Sequence, residues 1–535
     1  MSNFIKHLSI SKSERRWLIN WATAIMFITS LPYLYGWFLS TDHMQFSGFI
    51  LGLEDANSYL AKMRMGAEGG WLFHLAYTPE PHPGAYLFGF HLLLGKIARL
   101  LSLSPVLVYH MTRIIFGIGL LLTLYGFMAY FLPSIPERKL AFLLAALGSG
   151  LGWLLILLQL TPTLGLPLDT YVPEGFIFLV LLHLPHLALV ESLLFWAILL
   201  TQHGWQTNTW PPVIWAGLAL LVMSWIAAFY IVVFAAVWGA VWVVLWPGRR
   251  PVRSLFIKIA AAVLISSPLL VYNAYVFSMN PILKIWSQQN IILSPQPWHY
   301  ALAYGFLIIP ALYGGRLLMA HDSHHRYQPL ILIVWCLIFP ILVYIPFNLQ
   351  RRLVVGVQVP LAMLAAGAMC HLMARYISPG KQTLARAGII LFFSLTNIFL
   401  LTGGFASVLW RQPPIFRPQT QLKAMQWLAQ RANDEVILAV YETGNALPAF
   451  ANVRAFVGHG PETVNSEEKR ELAQTFFRET TDDNWRLALL KKFKIRYLYY
   501  GPNEKATGNF APAGAPYLRE LYQNEEVQIF EVNLP

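Results

Sequence analysis

The chain has 535 residues and a net charge of +12, yet only 12% of its residues are charged and 56% are hydrophobic. Soluble domains carry about 25% charged residues, so composition excludes an ordinary soluble protein and points to a polytopic membrane protein. The positive balance is not a nucleic-acid footprint, because the basic residues sit in short loops between apolar runs, where they report topology.

Lys6, Lys12, Arg15 and Arg16 precede an apolar run over 17–39. That run is too long for the core of a signal peptide and reads as an uncleaved first span. Further runs long enough to cross lie at 106–132, 139–159, 176–201, 211–227, 229–246, 255–276, 300–320, 329–347, 353–374 and 387–410, about eleven spans in all, with a tight turn expected near Ser224 and Trp225. The stretch 84–104 carries His91, Lys96 and Arg99 at helical spacing and reads as a helix lying in the interface. With the N-terminus inside, Arg138, Lys139, Arg249, Arg250, Arg253, Lys258, Arg316, Arg326, Arg375, Lys381 and Arg386 fall on the inside. The outside loops 160–175, 225–229 and 277–299 then hold one lysine, Lys284. This is the positive-inside pattern, and it predicts a cytoplasmic N-terminus; the plasma membrane is the expected location. Cys336 and Cys370 lie within apolar runs and read as packing residues. His321, His324 and His325 read as a solvated turn.

The predicted fold is therefore α-helical and polytopic over 1–410, with a large outer first loop at 40–105. Beyond the Arg411-Gln412-Pro413-Pro414 linker, 411–535 reads as a small extracytoplasmic α/β domain. Strands are expected at 435–441, 496–500 and 527–532, and helices at 419–431, 466–478 and 482–493.

The charged doublet Glu54-Asp55 opens a helical stretch at the membrane edge. Asp55, Tyr59 and Lys62 fall on one predicted face, and Glu54, Ser58 and Ala61 on another. A carboxylate there can serve as a general base or as a helix N-cap; spacing leaves both open. The loop over 70–83, rich in proline and aromatics, cannot cross lipid as irregular backbone. Arg351 and Arg352 open a late span on the outer side, against the positive-inside trend. They can bind the phosphate of a lipid substrate or snorkel to headgroups. Arg113 is an intramembrane arginine that needs a partner or a cavity. His183, His186 and Glu191 can ligate a metal or bond within the bundle. No glycine-rich phosphate loop follows a strand, which argues against a nucleotide-driven mechanism.

The patches Asp55-Ala56-Asn57-Ser58-Tyr59-Leu60-Ala61, Gly69-Gly70-Trp71-Leu72 and Tyr77-Thr78-Pro79-Glu80 resemble the first loop of the GT-C class of integral-membrane glycosyltransferases. So does Phe347-Asn348-Leu349-Gln350-Arg351-Arg352 with Pro360-Leu361. Tyr441-Glu442-Thr443-Gly444-Asn445 with Gly458-His459, and Ile495-Arg496-Tyr497 with Tyr500-Gly501-Pro502, are similar to outer domains of bacterial members. The resemblance implies transfer of a sugar from a polyprenyl-phosphate carrier to an extracytoplasmic lipid, glycan or protein. The first-loop acid would be base or metal ligand: Asp55, with Glu54 as runner-up, because the order here is Glu-Asp. Arg351, Arg352, Lys62, Arg64, Tyr59, Arg113 and His186 are the candidates for donor and lipid-phosphate binding. A divalent ion, Mg or Mn, is implied as an optional cofactor on Asp55, Glu54 or Glu174. The alternatives are a catalytically inactive lipid-binding or scaffolding subunit, and a transporter or flippase.

Overall fold

The computed structural model describes residues 10–246, 251–321 and 329–534. Lys6, Arg249, Arg250, His324, His325 and Arg326 lie outside the described residues. The chain is an α-helical polytopic membrane protein with a small C-terminal sheet. Among the described residues seven helices are long and apolar enough to cross a membrane: Lys12–Phe38, Pro105–Phe131, Ile135–Leu157, Pro185–Gln206, Val252–Met279, Pro297–Ala320 and Gln350–Tyr376. Pro379–Phe393 and Leu395–Leu409 form a pair bent by 55°, and Pro211–Ala227, Tyr230–Leu245 and Leu330–Leu342 are shorter apolar helices. The break in the 211–246 run falls at Ala228 and Phe229, four residues after the expected turn.

The chain divides into two compact units. The first contains Met1–Leu31, His110–Tyr272 and Ile291–Gly403, and the second Pro32–Tyr109, Asn273–Asn290 and Gly404–Pro535.

In the first unit, polar side chains close the gaps that helix breaks open. The helix Ile177–His183 stops before Pro185. Proline has no N–H, so the Leu181 carbonyl lacks its donor four residues on. The buried Arg113 guanidinium donates to that carbonyl at 2.9 Å and to Ser30 Oγ at 2.7 Å. At the break after Leu147, Gln358 donates to Gly148 O at 2.7 Å, and Asp169 accepts the N–H groups of Gly150 and Gly152 at 2.9 and 3.1 Å.

In the second unit, the 84–104 stretch forms a helix only from Gly89 to Leu100, 12 residues and well short of a span. It packs backbone to backbone on the helix Leu53–Ala67. A Cβ on Gly95 would stand 1.8 Å from Met63 O, and one on Gly66 2.0 Å from Leu92 O, so only glycine permits this approach. Lys96 and Arg99 donate to the carbonyls of Gly69 and Ala67, both at 2.9 Å, at the end of the partner helix.

Strands β1 (Met44–Phe46) and β2 (Phe416–Pro418) pair antiparallel. The C-terminal sheet holds β3 (Glu435–Leu438), β4 (Val453–Ala455), β5 (Ile495–Tyr500), β6 (Leu518–Gln523) and β7 (Gln528–Val532) in the order β4-β3-β5-β7-β6. β3 runs parallel to β4 and β5, and β7 antiparallel to β5 and β6. Alternate residues face opposite sides: Val436, Leu438, Leu498 and Phe530 join one apolar core, and Ile437, Tyr497, Tyr499 and Ile529 the other. Both faces are covered, as a sheet with parallel crossovers requires. The strand expected over 435–441 ends at Leu438, and Tyr441 begins a helix to Phe450 instead. β4 and β6 were not expected from the sequence.

Glu504 ties the ends of β3 and β5 together. Its carboxyl accepts Val440 N–H at 3.0 Å and Gly501 N–H at 2.9 Å. Burial pushes its pKa up to about 7, against the hydrogen bonds that favour the charged form. A carboxyl raised in the folded state contributes stability that is full below its unfolded pKa and lost as pH rises through its folded one. Stability should therefore fall by roughly 1.4 kcal/mol between pH 6 and pH 8 from this group. Glu504→Gln should flatten that dependence, measured by hydrogen exchange at β3 and β5 in the purified full chain.

Candidate functional site

The helix Leu53–Ala67 is built to be gripped along one side. Gly52, left-handed at φ 57°, takes the N-cap position, and no side chain caps the helix. Asp55 is thus not the cap; it lies in the first turn, where a carboxylate is favoured by the helix dipole. What grips the helix is the loop Gly458-His459-Gly460-Pro461-Glu462-Thr463 beyond β4, together with the helix Tyr441–Phe450.

Glu54 Oε1 accepts the Gly460 N–H at 3.0 Å and the Tyr441 hydroxyl. Asp55 Oδ1 lies 3.1 Å from His459 Nε2, with the Asp55 side chain 62% exposed and His459 4%. Asn57 donates to Asn445 Oδ1 at 2.6 Å. Ser58 donates to Glu462 Oε1 at 2.7 Å, and Lys62 Nζ meets the same oxygen at 2.6 Å while also bonding Ser58 Oγ. Asp55, Ser58 and Lys62 thus share the loop-facing side. Tyr59 turns elsewhere and stacks on His91 at 4.6 Å. Arg64 donates to Pro448 O at 2.9 Å and pairs with Glu68 at 2.6 Å.

The loop can reach the helix because two glycines let backbones touch. A Cβ on Gly444 would stand 1.9 Å from Val457 O, and one on Gly458 2.4 Å from the Gly444 carbonyl carbon. The first-loop segment completes the frame along the edge strand β4: Ala455 N–H bonds Ala76 O at 2.8 Å, Arg454 bonds Pro79 O at 2.7 Å, and Tyr77 hydroxyl bonds Asn445 O at 3.1 Å. Lys469 pairs with Glu80 at 2.6 Å.

The electrostatics follow from burial opposed by close charges. Burial raises the Glu462 pKa, but Lys62 and His459 outweigh it and hold the carboxyl below its usual range. Burial lowers the His459 pKa, but Glu462 and Asp55 outweigh it and leave the imidazole above the usual histidine value. His459 Nδ1 faces the Glu462 N–H at 3.3 Å. An amide N–H only donates, so in the neutral ring the proton sits on Nε2, the atom that bonds Asp55. The imidazolium carries a proton there too.

The remaining candidates lie in the first unit. Arg352 Nε pairs with Glu174 Oε1 at 3.3 Å, its side chain 37% exposed, and Arg351 stands 5.1 Å over the Tyr171 ring. These arginines sit in a 3-10 turn, Gln350–Val354, that opens the Gln350–Tyr376 span, and Gly356 at φ 71° separates that turn from the helix Gln358–Tyr376. His186 lies in the first turn of Pro185–Gln206, and Glu191 is buried within that helix. Among the described residues no group of three or more His, Cys, Asp or Glu side chains is arranged to hold a metal. Mg or Mn needs several oxygens converging on the ion. Glu54 is bonded to protein donors, Asp55 to His459, and Glu174 to Arg352. These donor sets do not fit an ion.

Sequence reasoning missed His459, Glu462 and Asn445 as partners of the acidic helix. Gly458 and Gly460 bracketing a histidine were the available signal. Lys62→Met should leave Glu462 buried without its cation and cost about 3–5 kcal/mol. The double variant Lys62→Met/Glu462→Leu should recover most of that, read as thermal unfolding of the purified chain in detergent.

No protein-family model matches the sequence, and no curated protein matches it. Solved structures do. The apo ArnT of Cupriavidus metallidurans superposes with a TM-score of 0.54 at 13% identity, over 97% of this chain and 98% of that one. The mycobacterial arabinofuranosyltransferase AftD gives 0.54 at 13% identity, over 97% of this chain and 40% of that one. The apo oligosaccharyltransferase of Archaeoglobus fulgidus gives 0.52 at 12% identity, over 92% and 70%. At such identities the likeness concerns the fold, and the fold of this chain is that of the GT-C membrane glycosyltransferases.

Proposed function

We propose that this chain is a membrane glycosyltransferase that moves a sugar from a polyprenyl-phosphate donor to an acceptor hydroxyl or amide outside the cytoplasm, with Asp55 as general base. The observation that carries this reading is the contrast along one helix. Lys62 is buried against Glu462 and Glu54 is taken up by Tyr441 and Gly460, while Asp55 is bonded by His459 and still 62% exposed. A carboxylate held on one side and open to solvent on the other suits proton abstraction.

In the proposed step Asp55 takes the acceptor proton as the acceptor atom attacks the anomeric carbon. The bond from that carbon to the phosphate oxygen breaks, and polyprenyl phosphate leaves with the electron pair. The GT-C fold supports this chemistry by analogy. In the first unit, Arg351 and Arg352 are proposed to bind the lipid phosphate, because a guanidinium presents paired donors to phosphate oxygens. The membrane region is proposed to be 1–410, with a cytoplasmic N-terminus in the plasma membrane, and 411–535 to lie outside.

Asp55→Asn should lower transfer from tritiated short-chain polyprenyl-phosphate sugars by roughly 10²–10⁴-fold in membranes carrying the full chain. Full activity at normal membrane levels would sink the base assignment and favour a lipid-binding subunit. Arg352→Ala should weaken binding of the lipid donor, seen as a higher KM, and an unchanged KM would remove the phosphate role.

A further inference from the structure

The C-terminal region supplies more than a cover for the acidic helix. We infer that His459 is a positioning residue for Asp55: its Nε2–H holds one carboxylate oxygen and thereby fixes the orientation in which the other meets the acceptor. The inference rests on the reading that Asp55 is the base.

The ring is itself held on several sides. Nε2 lies 3.1 Å from Asp55 Oδ1, Nδ1 lies 3.3 Å from the Glu462 amide, and the Tyr77 ring stands 5.5 Å away. The loop under it is cross-braced: Thr463 Oγ1 accepts the N–H groups of Gly458 and His459 at 3.3 Å, and Gln289 donates to Thr463 O at 2.6 Å. A buried, braced imidazole bonded to an exposed carboxylate loses little freedom when the acceptor arrives, which is the economy of a preorganised site. Both the neutral and the charged ring donate through Nε2, so the device does not depend on which is present.

The test uses the full chain in membranes with tritiated short-chain polyprenyl-phosphate sugars. His459→Leu should lower kcat roughly 10²-fold, the scale of a misplaced catalytic group, with the donor KM unchanged. His459→Gln, whose amide nitrogen can reach the place of Nε2, should recover activity to within a few-fold of the parent. Asp55→Asn/His459→Leu should be no worse than Asp55→Asn, since one residue acts through the other. Should the leucine variant fail to fold, His459→Asn takes its place, its amide being too short to reach Asp55. A leucine or asparagine variant within twofold of the parent overturns the inference. So do losses that multiply in the double variant, or a glutamine variant as impaired as leucine. An inactive Asp55→Asn beside an active His459→Leu rejects this inference alone, whereas a fully active Asp55→Asn rejects the base assignment beneath it.

Discussion

Lys62 is buried at 1% exposure, and much of the candidate site depends on what burying its charge demands. A buried charge costs several kcal/mol unless it is paired and hydrogen-bonded. Here Glu462 supplies the opposite charge and Ser58, one turn back on the same helix, supplies a second bond. The partner carboxylate comes from a residue 400 positions away in sequence. Rotating the helix about its axis would strip both charges of their partners. The pair therefore sets the rotation of the helix, and with it the direction of every other side chain on that face.

That rotation decides the fate of the carboxylate doublet. Glu54, longer by one methylene, reaches the Tyr441 hydroxyl and the Gly460 amide. Asp55, shorter and one residue on, meets the same loop at His459 and remains exposed. The order Glu-Asp left open which acid matters; the geometry gives the two acids different surroundings because they differ in reach. The loop they meet follows β4, at the C-terminal ends of the parallel strands. Open α/β sheets commonly bind ligands at that edge. In this unit the first-loop helix meets that edge, with Glu54 bonded to the Gly460 amide and the Tyr441 hydroxyl.

Hydropathy alone made the apolar helices readable, because a run of some 20 apolar residues has few other uses; of the eleven or so spans expected, seven described helices, or eight with the bent pair, are long enough to cross, and three are shorter. Alternation of helix and strand patterns likewise made several C-terminal elements readable, and Ser466–Phe476 and Asp483–Lys492 formed within two residues of where charge and periodicity placed them. The failures have local causes. β4 is three residues long and contains an arginine, too short for a period-2 signal. The helix Tyr441–Phe450 contains Gly444 and Pro448, both poor helix formers, and is held by backbone contact with the β4 loop instead. His459 lies 404 residues from Asp55, so nothing local in the sequence signals their meeting.

Arg113 illustrates the same limit from the other direction. An arginine inside a span invites a ligand, because the bilayer offers it no counter-charge. It donates to the Leu181 carbonyl and to Ser30, with Thr29 and His110 also within hydrogen-bond reach. Pro185 creates the need for that donor 72 residues downstream, and only the packed helices reveal it. A charge in an apolar segment thus has two kinds of cause, a substrate or a broken backbone elsewhere in the chain. Discriminating them means asking which carbonyl has lost its donor. For Arg113 that question has an answer within the helices of its own unit.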